Sequence, residues 1–103
     1  MSTDLFARTQ FEFDRRQAEF LIAEVATCSR RTDLTATMNA GGNKRVAEQT
    51  LVDAENAYAT VMRSLSDRNL SKGLTIKDRQ EITKTMKVVR GTLDGLQRFS
   101  KCE

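Results

Sequence analysis

The chain has 103 residues, no Pro, Trp or His, and a formal charge of +3. That length holds a single domain, residues 1–103, with one core. Without His there is no Ser-His-Asp or Cys-His nucleophile system, no His general base and no His-bearing zinc site, and two Cys alone do not make a structural zinc site.

The lack of Pro and the abundance of Ala, Glu, Gln, Lys, Arg, Leu and Met predict a chain built mostly of long helices. The first is expected over residues 4–31, entered through Ser2, Thr3 or Asp4 as N-cap. At 1.5 Å per residue it would be about 40 Å long. On a helical wheel Phe6, Phe13 and Phe20 form one apolar stripe, and Phe11, Ala18, Ile22 and Val25 form a second. Leu21 and Cys28 fall between them, as do the polar Gln10, Asp14 and Gln17. This arc is wider than one buried face requires. Either the helix is central and packs against both others, or one stripe faces another chain. Asp14 within the arc carries no catalytic argument, because no nucleophile or second carboxylate accompanies it at a useful spacing.

Residues 32–43 interrupt the pattern. Thr32 or Asp33 is read as the cap of a short turn reaching Met38, and Asn39 to Asn43, with Gly41-Gly42, as a flexible connection. The Gly pair lacks a preceding strand and the Gly-Lys-Ser/Thr tail of a phosphate-binding loop.

The second helix is expected over 44–68, capped by Asn43. Its inward stripe runs Val46, Ala47, Thr50, Leu51, Ala54, Ala57, Tyr58, Val61, Met62 and Leu65. The small centre at Ala54 and Ala57 predicts close packing against the Phe residues of helix one. Tyr58 needs a hydroxyl partner or an exposed edge. Gly73 is read as a left-handed helix exit, followed by Thr75-Ile76-Lys77-Asp78, a capping box with Asp in place of Glu.

The third helix is expected over 76–99, with Ile82, Met86, Val89, Leu93 and Leu96 inward and Lys77, Lys84, Lys87, Arg90 and Arg98 outward. Gly91 and Gly95 each cost about 1 kcal/mol against Ala in a helix interior, so either the helix frays there or another backbone passes close. Charge is uneven: residues 1–71 carry nine Lys/Arg against ten Asp/Glu, whereas residues 72–103 carry eight against four.

The expected architecture is all-α, a three-helix antiparallel, up-down-up bundle that dimerisation would enlarge. In it Cys28, near the end of helix one, and Cys102, just past helix three, approach each other and could form a disulfide. The expected function is a soluble, non-enzymatic protein-protein interaction module, an adaptor, chaperone-like or assembly subunit, with no cofactor and no metal. Phe6, Phe13 and Phe20 would meet the partner, either a second copy or another protein, in coiled-coil fashion. The alternative is a small nucleic-acid-binding bundle using the basic face of helix three. No segment is apolar enough to span a membrane. The polar start predicts a cytoplasmic protein, or a secreted or periplasmic one if Met1 is not the native start.

Overall fold

The computed structural model describes residues 2–101, with side chains described over residues 7–98. Four helices and no strand are present among them: α1 (Ser2–Ala40), α2 (Lys44–Ser66), a single turn α3 (Arg68–Ser71) and α4 (Ile76–Lys101). The three long helices all pack against one another. No helix among the described residues is long and apolar enough to cross a membrane.

The largest departure from expectation is α1, which runs unbroken to Ala40 instead of stopping near Arg31. Thr32 and Thr35 do not cap a new turn. Their hydroxyls donate to the carbonyls of Cys28 (2.9 Å) and Arg31 (2.9 Å) one turn back. A hydroxyl satisfied by its own helix can be buried without an orphaned donor, and both threonines are buried. They extend the core face along a stretch that looks polar in sequence. The chain then turns through Gly41 and Gly42, where Gly42 takes the left-handed conformation at φ 81°. Asn43 caps α2 by accepting from the Val46 N–H at 3.4 Å.

The helices are unequal, not of similar length as expected. α1 has 39 residues and α2 has 23, so α1 projects past its partners. Its first dozen residues, about 18 Å of helix, precede the point where the connection before α4 crosses it. Residues 7–13 are all exposed.

The core is built from Ala18, Leu21, Val25 and Cys28 of α1, Ala54 and Val61 of α2, Leu74, and Ile82, Met86, Val89 and Leu93 of α4. The expectation that Phe residues fill the space over Ala54 and Ala57 fails. Phe11, Phe13 and Phe20 are exposed; Ala54 is buried in the cluster without them, and Phe20 meets Ala57 only across an open groove between α1 and α2. Leu21 and Cys28, which the wheel put between two stripes, lie at the centre of the single buried face.

α2 ends at Ser66, two residues short of the expected boundary at 68. Asp67 leaves the helix (φ −80°, ψ 112°) and accepts from the Asn69 N–H at 2.9 Å to start α3. The capping box that opens α4 is present in both directions. The Asp78 N–H donates to the Thr75 hydroxyl at 3.0 Å, and the Thr75 N–H donates to Asp78 Oδ2 at 3.0 Å.

That same Asp78 oxygen receives Arg15 Nη1 of α1 at 2.8 Å. The cap therefore also ties the start of α4 to α1. The Arg15 hydrogen bond, followed by the Thr75 backbone N–H, holds the Asp78 carboxyl below the usual carboxylate range. A depressed folded-state pKa stabilises the fold above the unfolded value of about 4. That contribution is lost as pH falls through the folded value. Thermal melts followed from pH 7 to pH 2 should show Asp78→Asn less stable than wild type at neutral pH, with the gap closing on acidification. A gap that persists unchanged into acid would show that Asp78 acts through shape alone.

Candidate functional site

The aromatic residues of α1 fall on two sides of the helix. Phe11 is 70% exposed and lies on the overhanging segment. Phe13 and Phe20, one heptad apart, are 55% and 65% exposed. The Phe6 side chain lies outside the described residues. One heptad past Phe20 comes Thr27 and one further comes Leu34, which is 46% exposed. A strip broken by Thr27 thus runs along α1 on the flank of its buried face, beside α2.

Phe20 borders a groove between α1 and α2 of about 390 Å³, lined from α1 by Ala23, Glu24, Thr27 and Arg31 and from α2 by Asn56, Ala57, Thr60 and Val61. Its two hydroxyls are already spent: Thr27 donates to the Ala23 carbonyl at 3.0 Å and Thr60 to the Asn56 carbonyl at 2.9 Å. Covering them with an apolar group orphans no donor. The groove has small residues on its floor beside the Asn56 amide, an aromatic at one edge and one charge of each sign, Glu24 and Arg31, along the α1 side.

Of the basic residues expected outward on α4, Lys77, Lys84, Lys87 and Arg98 are exposed, and no ion pair among the described residues engages them. Arg90 is placed differently. It turns inward and binds both oxygens of Glu55 on α2, at 2.9 and 2.7 Å. It also donates to Asp94 at 2.9 Å and stacks 4.8 Å above the Tyr58 ring. Gln97 adds a hydrogen bond to Glu55 at 2.6 Å. A planar guanidinium held by two carboxylates and a ring face is a clamp between α2 and α4, not a free cation for an anion. Tyr58 is half-buried, and Arg90 meets its ring face, not its hydroxyl.

Both halves of the proposed disulfide are affected by the longer α1. Cys102 lies outside the described residues. Cys28 is fully buried, and α1 continues well past it to Ala40. The α2–α4 clamp at Glu55 and Arg90, not the end of α4, lies at its level, since Glu55 is among the charges acting on its thiol. Burial pushes that thiol up from its ordinary pKa, which keeps it protonated and unreactive. Asp14 accepts a hydrogen bond from Gln10 at 3.0 Å on the exposed part of α1. No cluster of three potential metal ligands occurs among the described residues.

Compared with protein-family models, with curated proteins and with solved structures, the chain matches none.

Proposed function

We propose that this protein is a non-enzymatic helical interaction module, an up-down-up bundle that binds a partner helix along the outer strip of α1. The observation that carries this reading is the exposure of Phe13 and Phe20 on one heptad stripe beside the α1–α2 groove. Exposed aromatic side chains of this size are energetically significant at interfaces and sit poorly in water. Because both are exposed, Phe13→Ser/Phe20→Ser should fold with wild-type helicity while losing self-association and the capture of any partner protein by crosslinking. A double variant that assembles and captures as wild type would exclude the strip as the binding surface.

A second reading is supported by Lys77, Lys84, Lys87 and Arg98, which stand exposed and unpaired around an open helix face at Gly91. Such a row would track a nucleic-acid backbone, without base readout. It predicts binding at low salt that falls steeply as salt is raised and that weakens about tenfold or more in Lys84→Glu/Lys87→Glu. The absence of binding at low salt would remove it.

A further inference from the structure

The outer strip of α1 has the arrangement of a surface that recognises itself. We infer that its occupant is a second copy of this chain, with the two α1 helices antiparallel about a two-fold axis at Thr27. This rests on the reading of the strip as a binding surface and names its partner.

Phe20, Glu24, Thr27, Arg31 and Leu34 fall within roughly 80° of the α1 surface at 100° per residue. An antiparallel two-fold places residue 27−n of one copy opposite residue 27+n of the other. Phe20 then faces Leu34 of the second copy, with seven residues on either side of Thr27, and the symmetry makes this contact twice. These are the two large exposed apolar side chains of α1 that lie within the packed part of the molecule. Glu24 comes within one residue's rise, about 1.5 Å, of the level of Arg31 across the axis. Both project on the α2 side of the strip, where they line the same groove. An axis perpendicular to antiparallel helices keeps that side common to both copies, so opposite charges meet, again twice. Arg16 falls opposite Met38, so no like charges on the strip oppose each other.

The crossing point suits close approach. Thr27 is small, its hydroxyl is bonded to Ala23, and Thr60 on the neighbouring floor is satisfied in the same way. Overlap of the two helices over about 40 Å, each about 10–12 Å across, covers roughly 400–500 Å² per copy, below the 800 Å² per partner of a standard interface and in the range of weak, transient ones. A reversible dimer is expected from that area.

The test uses two measurements on the full chain carrying Cys102→Ser, with buried Cys28 left in place. A cysteine on a two-fold axis meets its own copy, so Thr27→Cys should oxidise to a covalent dimer while Asp33→Cys, exposed on another side of α1, should not. Sedimentation up to about 200 μM should then show Glu24→Arg and Arg31→Glu each weakening dimerisation about tenfold, and the charge-exchanged double variant recovering most of it. A monomer throughout this range, crosslinking equal at the two positions, or no recovery in the double variant would overturn the two-fold. If the chain is monomeric yet captures a different protein through Phe13 and Phe20, the two-fold alone fails and the interaction reading stands. If neither assembly nor capture depends on those Phe residues, both fail.

Discussion

Gly73→Ala is expected to destabilise the protein by about 3 kcal/mol, the upper part of the range for forced overpacking, and to lower Tm by roughly 12–24 °C for a domain of this size. Conformational freedom is not the reason, since Gly73 does not adopt positive φ. The reason is the approach of two backbones. A Cβ built on Gly73 would overlap the carbonyl oxygen and carbon of Asp14 and lie 2.9 Å from the Arg15 nitrogen. These are main-chain atoms in the middle of a continuous helix, so they cannot rotate away as a flexible side chain would. The contact also sits beside the tie that fixes α4 to α1, because Arg15 donates to the Gly73 carbonyl at 3.4 Å as well as to Asp78. Displacing the loop would loosen the cap, the ion pair and the burial of Leu74 together. Thermal melts of Gly73→Ala, with Gly41→Ala as a comparison where the nearest atoms are at 3.5 Å, should show the difference directly. A Tm for Gly73→Ala within about 3 °C of wild type would mean that the loop and α1 do not meet this closely in solution.

Gly73 illustrates which parts of the molecule were legible in sequence. The capping box beside it was readable because it is a local pattern, whereas the left-handed exit read at Gly73 is absent, since that glycine does not take positive φ. The use of that glycine for a crossing with a helix some sixty residues away was not readable. The same division holds elsewhere. The inward stripes of α2 and α4 follow in the main from periodicity: Ala54, Val61, Ile82, Met86, Val89 and Leu93 are buried, whereas Val46 and Met62, read as inward on α2, are exposed. Thr32 and Thr35 read as helix-stopping polar residues because their hydroxyls can cap, and only the back-bonds to Cys28 and Arg31 show that they continue α1. The length of α1 then decided two further matters: Cys28 moved away from the end of the helix, and Phe11 and Phe13 lie outside the packed zone. Phe13 and Phe20 were recognisable as a heptad stripe, but a wheel cannot say which side of a helix faces a core. Arg90 looked equivalent to its basic neighbours on α4, since Glu55, its main partner, lies on another helix. The spacing of Arg90 and Asp94, four residues apart, was the one local hint that this arginine is compensated.

Gly91→Ala/Gly95→Ala should stabilise the protein by about 2 kcal/mol, about 1 kcal/mol for each helical glycine replaced, and raise Tm by roughly 8–16 °C. This is the opposite sign from Gly73→Ala, for the same chemical change. A Cβ at either position meets nothing within 4 Å, so no packing opposes the gain in helix propensity. α4 continues through both glycines to Lys101, so neither marks the end of the helix. Of the two explanations open in the sequence, fraying or a close backbone, the structure contains neither within the described chain. The cost of the two glycines is therefore not offset inside the folded molecule. The face they open is bordered by Lys84, Lys87 and Arg98, and on the proposed nucleic-acid reading the missing side chains would let a phosphate backbone come nearer to the helix than any other residue would. The double variant separates these roles in one preparation. A rise in Tm together with weaker low-salt binding to single-stranded nucleic acid would assign the glycines to that close approach. A rise in Tm with unchanged binding would leave the cations acting through their long side chains alone. No rise in Tm would show that α4 is already broken at this point in solution, since an intact helix with open space at both positions must gain from the exchange.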